Sequence, residues 1–422
     1  MSQTARTASG EQQGRRRGPS LEMFSAFKSR PFTFLWINTF GFALVQATQR
    51  FAFVWLVLEI GQGSGAAGLV VFMLGIPVLF VTIPAGVLAD RMDRRILVLI
   101  SQLAAVLVTI VAAVISLADA MSTGIALALA FGVGATVAVG LPVRNAIIPS
   151  VVDRNRLLNG VVMMSMSQNI SQIAGPAFGG LAIALWGIGG AFLAQAIVLL
   201  VGTLALVPLR VPRARGTSVY RNPLSELGDG LRFVWGHQGI RMLIVMLFIS
   251  GLFMMGPFAA LLPKIAKDEL GREAFAASLL FVFMGVGMVT SSLRLASMPR
   301  LRNKGGWFIS SLILGGVVLA GLGLSPWYGL TAAIMFIGGM SAGVFMNLNQ
   351  TLIQANTPDE MMGRVVSIHT LGLQGIGPLG SLLAGAGAAL LTAPAWMAVS
   401  GVILSTTAVI MLLTQKTLRQ MA

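Results

Sequence analysis

Twelve times between residues 33 and 414 the chain runs for about twenty residues with almost no charge, the length a helix needs to cross the hydrocarbon core of a bilayer. The runs lie near 33–60, 65–88, 96–117, 124–143, 158–185 and 188–208. Past a polar stretch they resume near 242–262, 274–294, 306–324, 328–352, 365–391 and 395–414. In lipid every backbone N–H and C=O must be satisfied within the chain, so such runs form helices. Composition agrees: 56% of the 422 residues are hydrophobic and 10% are charged, against about 25% charged in soluble domains. The expected fold is an all-α membrane protein with twelve transmembrane helices.

The chain has no cysteine, which excludes disulfides, thiolate metal sites and a cysteine nucleophile. A formal charge of +15 would point to nucleic acid in a soluble chain, but its distribution points elsewhere. With the N-terminus inside, twenty-five of the 29 Lys and Arg fall in inside segments. These are the tail with Arg15, Arg16 and Arg17, the loops holding Arg91, Arg94 and Arg95 and then Arg144, Arg154 and Arg156, the central stretch, Arg294 to Lys304, Arg364, and the C-terminus. Lys264, Lys267 and Arg272 fall outside, beside Asp268, Glu269 and Glu273, and Arg50 lies within a span. Both termini are expected in the cytoplasm of a bacterial inner (plasma) membrane. The surplus is read as a topology signal, with no nucleic-acid partner, and the Arg-rich start as a cytoplasmic tail, not a signal peptide.

The expected divisions are a tail at 1–31, a six-helix half at 32–208, a central loop at 209–241, a second six-helix half at 242–414 and a tail at 415–422. The halves repeat: Gln172-Ile-Ala-Gly175-Pro176 in the fifth span returns as Gln374-Gly-Ile-Gly377-Pro378 in the eleventh. Parallel repeats of this kind suit a transporter with its site at the interface of two pseudo-symmetric halves. In the central loop Leu224, Leu227, Leu231 and Val234 recur at helical spacing, which reads as an amphipathic helix on the cytoplasmic face or as a plain linker.

Gly86-Val-Leu-Ala-Asp90-Arg91-Met-Asp93-Arg94-Arg95, between the second and third spans, resembles the signature loop of the major facilitator superfamily. Asp93 stands where the family usually has a second glycine, a variant of its drug-efflux branch. Gly175-Pro176-Ala-Phe-Gly179-Gly180 is similar to the glycine–proline motif of drug/proton antiporters. Pro142 to Asp153 and Thr357 to Val365 resemble the efflux branch that includes enterobactin and macrolide exporters. The resemblance covers residues 25–415. It implies that Gly86, Asp90, Arg91, Arg94 and Arg95 form an inside latch, with Asp90 held by the N-terminus of the eleventh helix around Gly363 to Val365. A carboxylate there gains about 0.3–1 kcal/mol, up to about 2 when partly buried. Read without the family, the same residues are positive-inside anchors. The Gly175, Pro176, Gly179 and Gly180 set either bends the fifth helix so that it slides on the eighth, or serves packing alone.

Four spans carry polar residues on one face: Asn38, Gln46, Gln49 and Arg50; Ser165, Gln168, Asn169 and Gln172; Asn347, Gln350, Thr351 and Gln354; and Ser367, Thr370 and Gln374. Such stripes are disfavoured against lipid and are expected to line a substrate cavity. Arg50 lies about 15 Å below the outer end of its helix, too deep to snorkel easily, and is expected either to meet substrate or to pair with another helix. None of the fourteen acids falls in mid-span, and Gln46 stands where many antiporters have a helix-1 carboxylate, which puts ordinary proton coupling in question. His369 points away from the stripe of its own helix and reads first as a packing residue.

The expected activity is secondary active transport, as an exporter of small amphipathic, drug- or siderophore-like molecules by alternating access. An importer or facilitator of the same fold is the alternative, and an intramembrane enzyme a remote one, since no acid/base pair or His/Asp cluster stands in mid-span. The expected partners are a small-molecule substrate, the lipid bilayer and, as a coupling ion, a proton. No cofactor or metal is expected, and the chain is expected to act as a monomer.

Overall fold

The apolar runs are helices in the computed structural model, which describes residues 23–152, 156–209, 223–298, 301 and 303–419. The first half holds α1 (Arg30–Glu59), α2 (Ser64–Arg91), α3 (Arg94–Leu117), α4 (Thr123–Val151) and a helical stretch Leu157–Leu206. At 50 residues that stretch would reach about 75 Å, more than twice the bilayer core. It breaks at Gly187, where φ is 67° and ψ is −178°, backbone that a side chain would strain. The chain reverses there, giving α5 (157–186) and α6 (188–206).

The second half follows α7 (Pro223–Gly236) and comprises α8 (238–269), α9 (Ala274–Ala296), α10 (Lys304–Gly323), α11 (Tyr328–Ala355), α12 (Asp359–Leu390) and α13 (Ala393–Thr414), then a last turn, α14 (Lys416–Arg419). Among the described residues there are therefore twelve crossings, six on each side of α7. Both ends of the described chain lie on one face of the bundle, the terminal face. Ser29 Oγ there donates to the Val151 carbonyl at the end of α4, and Gly305 packs on the Leu418 carbonyl.

Short loops demand firm helix starts, and polar side chains supply them by accepting orphan N–H groups. Asp93 accepts from Arg95 N at 2.9 Å, Asn303 from Gly306 N at 3.1 Å and Thr392 from Ala395 N at 3.2 Å. Three helices clearly outrun the sequence expectation. α12 begins at Asp359, N-capped by Pro358, and not around Gly363 to Val365, because Pro358 fixes the turn before it and Asp359 and Glu360 suit a helix N-terminus. α4 continues past 143 through Pro149 to Val151, because prolines are tolerated in spanning helices and Arg144 finds partners inside the bundle. α8 runs from Gln238 to Glu269 and contains two π-helical turns, Gly251–Met255 and Ile265–Glu269. A helix stands there, α7: Val234 is buried and Leu227 and Phe233 pack on the core of the second half, but Leu231 is exposed, and the Leu224 side chain lies outside the described residues. Residues 210–222 lie outside the described residues.

Exposure sorts the helices by neighbour. α3 presents Ile96, Ile100, Leu103, Leu107 and Val114 outward, α6 presents Ile197, Val201 and Leu204, and α13 presents Val402, Val409 and Leu413. These apolar stripes belong against lipid. α1 exposes none along residues 51–58, which are buried throughout.

Candidate transport pathway

The two halves meet tightly on the far face. Gly68 of α2 lies so close to Ser381 and Gly385 of α12 that a Cβ there would overlap the Ser381 carbonyl, and Gly75 faces Pro378 in the same way. The pseudo-equivalent crossing joins α5 to α9, where Gly180 packs on Ser278 and Gly285 on Ile173. The Phe51 and Phe281 rings meet edge-on at 6.1 Å across the halves. Lys267 Nζ donates to the Leu58 carbonyl at 2.7 Å and sits 5.6 Å from the Trp55 ring, and Trp55 Nε1 donates to Glu59 Oε1 at 2.7 Å. Nearer the terminal face Leu79 of α2 still meets Gly375 of α12, while Phe80 on α2 and Leu158 on α5 are 71% and 75% exposed. The halves are sealed together on the far face.

Most of the polar residues expected to line a path are exposed or half-buried. On α1 Arg50 is exposed and Gln46 half-buried. Arg50 makes no hydrogen bond or ion pair among the described residues, and Phe51 to Leu58 above it are all at most 5% exposed. It therefore stands directly beneath the seal. Asn169 and Gln172 on α5 are exposed and Gln168 half-buried, while Gln350 and Thr370 are exposed and Gln374 half-buried. Asn347 is exposed but tied, donating to Ser292 Oγ at 2.9 Å and to the Gly343 carbonyl at 2.7 Å.

Two of the expected lining residues lie elsewhere. Asn38 and Gln49 are buried within the first half: Asn38 donates to the Gly202 carbonyl at 2.9 Å, and Gln49 to Thr109 Oγ1 at 3.1 Å. The expected polar arc of α1 is split because α3, α4 and α6 bring polar groups to its back. Arg144, expected in an inside loop, is 1% exposed in mid-bundle. Its Nε donates to Asn38 Oδ1 at 2.9 Å, its Nη2 donates to Gln102 Oε1, and its guanidinium lies 3.7 Å from the centre of the Phe42 ring. The signal for it was the apolar run from Ala146 to Val152, which carries the helix past the arginine, and a lone amide, Gln102, inside the apolar third span.

The second half is braced at the corresponding level. Asn349 of α11, 1% exposed, donates to the Leu243 carbonyl of α8 at 3.2 Å, and its Oδ1 lies 2.9 Å from His369 Nε2 of α12. Asn349 and Leu243 follow Arg144 and Asn38 by the same distance along the chain, so one brace echoes the other.

The side chains of Gly86, Asp90 and Arg91 lie outside the described residues. Of the remaining latch residues, Arg95 Nη2 donates to the Val207 carbonyl at the end of α6. Asp93, where the family pattern has glycine, is the N-cap of α3. In the glycine–proline motif Gly175 and Gly179 face Ala47 and Thr48 of α1, and Thr48 Oγ1 donates to the Gly175 carbonyl at 2.8 Å. Of the three glycines only Gly180 packs on α9, and Pro176 is buried.

Twelve crossings in two similar halves, sealed together at one face, are the fold of a membrane transporter. The chain belongs to the transmembrane secretion effector family of the major facilitator superfamily, whose pattern matches residues 21–421. It is similar to the multidrug efflux pump Tap of Mycolicibacterium fortuitum, 29% identical over 350 residues that cover 79% of this chain and 83% of that one. It is also similar to the staphyloferrin A transporter of Staphylococcus aureus, 26% identical over 340 residues, 78% of this chain and 82% of that one. The nucleoside transporter NupG shares the fold, with a TM-score of 0.73 over 90% of this chain and 99% of that one at 14% identity.

Proposed function

We propose that this transporter exports small amphipathic molecules from a bacterial cell by alternating access, in exchange for protons, and that Arg50 receives an anionic group of the cargo. The terminal face is the cytoplasmic one, because nearly all Lys and Arg lie toward it and positive loops stay inside. With the far face sealed, the path then opens to the cytoplasm. The chain works as a monomer in the inner membrane, with both termini in the cytoplasm. Similarity to an efflux pump and to a siderophore transporter supports export.

The observation that carries the reading is Arg50: an exposed guanidinium at the end of a one-sided path, with no carboxylate bound to it among the described residues. A planar guanidinium in a poorly solvated site pairs bidentately with carboxylate or phosphate. The test is survival and accumulation against a panel of neutral, cationic and anionic toxic compounds, in cells lacking other pumps. Export of anionic or zwitterionic members should fall at least tenfold in Arg50→Gln and recover partly in Arg50→Lys, with neutral members little changed. A profile dominated by cations, or equal loss across all charges, would sink the assignment.

A further inference from the structure

We infer that His369 is the proton-carrying site of this transporter, taking the place of the mid-span carboxylate that the sequence lacks; this rests on the export-for-proton reading above. None of the fourteen acids falls within a span away from its ends, so no carboxylate is available at depth. The chain has two histidines, and His237 precedes α8 at the terminal face, leaving His369 as the one within a span. Histidine is the side chain whose ordinary titration falls between about pH 5 and 8.

The bonding around His369 prepares it for that role. Asn349 spends its amide hydrogen on the Leu243 carbonyl, which turns its Oδ1 toward the ring at 2.9 Å. An amide oxygen only accepts, so Nε2 must carry the hydrogen and Nδ1 holds the free lone pair. Nδ1 bonds nothing among the described residues, and the ring is half-buried, not sealed. A proton adds to Nδ1 without breaking a bond, giving an imidazolium still anchored through Nε2–H. It leaves from the same atom.

The first half shows that the fold accepts a cation at this level. Arg144, at the echoing position of the opposite brace, is held by two amide oxygens and an aromatic face, not by a carboxylate. The ionisable groups on elements packed against α12 lie toward its two ends. At the terminal end they are Asp359, Glu360 and Arg364 on α12 itself, Asp229, 3.9 Å from Arg364, with Glu226, Arg232 and His237 on and just after α7, Arg241 on α8, and Asp90 and Arg91 ending α2. Lys264, Lys267, Asp268 and Glu269 belong to the far end of α8, and α11 brings Tyr328 at its far end. α13 brings none. His369 ties α12 to α8 and α11, and α12 is the helix that meets α2 across the halves. Loading it changes the charge of the element that moves when the path alternates.

The experiment uses the full chain in nanodiscs. With His237→Gln, nitrogen-15 labelled histidine reports His369 alone, with no substrate needed. The expected spectrum is a neutral ring protonated at Nε2 that converts to imidazolium between about pH 5 and 8. Spin labels on the terminal ends of α2 and α12 should show a pH-dependent distance change that His369→Gln removes. Glutamine keeps a donor for Asn349 but cannot titrate. A ring that stays neutral down to pH 5, or an undiminished pH response in His369→Gln, overturns the inference. If His369 titrates and drives the distance change while no anionic compound is exported, this site stands and the export reading fails.

Discussion

Burying Arg144 is costly, because a guanidinium has five donors and no acceptor. It is tolerated at 1% exposure because Asn38 and Gln102 turn their oxygens to it and Phe42 covers its face. Nη1 has no hydrogen-bond partner among the described residues, and Gly140 leaves the room it occupies. A methyl at Gly140 would overlap Nη1. Gly140→Ala should therefore destabilise the first half by about 1–3 kcal/mol through overpacking. The measurement is thermal denaturation of the purified protein, and an unchanged midpoint would mean that the guanidinium sits elsewhere. Arg50 is the contrasting case: the same side chain in the same half, left exposed and unpaired among the described residues beneath the seal.

Among the elements, the pair α2 and α12 decides which face is shut. Gly68 and Gly385 let the helices approach to backbone contact on the far side, and Gly75 and Gly375 make room for the Pro378 and Leu79 side chains further along, which is what small residues do between helices in lipid. Any larger residue at Gly68 must push the far ends apart. Gly68→Leu is expected to favour the state open to the outside. The chain has no cysteine, so one cysteine placed near Ser64 gives a clean readout. Membrane-impermeant maleimide applied from outside should label it several-fold faster in Gly68→Leu than in the parent. Equal labelling rates would show that the α2–α12 crossing does not close the path. The π-helical turn Gly251–Met255 of α8 leads into Gly256, which packs on Gly380 and Ser381, so α12 is gripped from both sides.

At the scale of the whole molecule, the three basic residues that break the charge pattern acquire reasons. Lys264 pairs with Asp268, Arg272 lies 5.4 Å from the Tyr328 ring, and Lys267 reaches across the halves to the Leu58 carbonyl near the end of α1. A cation there meets the negative end of the α1 dipole. Lys267 is half-exposed, so its bond is worth about 1 kcal/mol, roughly a fivefold shift in a two-state ratio. Lys267→Met should move the population toward the outward-open state. Asp90→Asn, which weakens the proposed latch on the opposite face, should move it toward the inward-open state and abolish most transport with normal expression. Distances between spin-label pairs on the two faces check both. Shifts of the same sign in the two variants would rule out opposed latches.

Much of this was legible in the chain because hydrophobic length, charge placement and repeats are local quantities. Twelve crossings follow from twelve apolar runs, and the Gly86–Arg95 and Gly175–Gly180 segments carry the family pattern without any structure. The azimuth of each polar residue was not local. Asn38, Gln49 and Arg50 share an arc of α1 by helical period, yet two of them are turned into braces by Gly202 and Thr109, and the third is left exposed. Arg144 likewise became a core residue because Asn38 and Gln102 converge on it from helices distant in sequence. The shut face is also a tertiary outcome. Opposed sets of contacts differing by a few kcal/mol set that balance, and only the packed halves show which set is made.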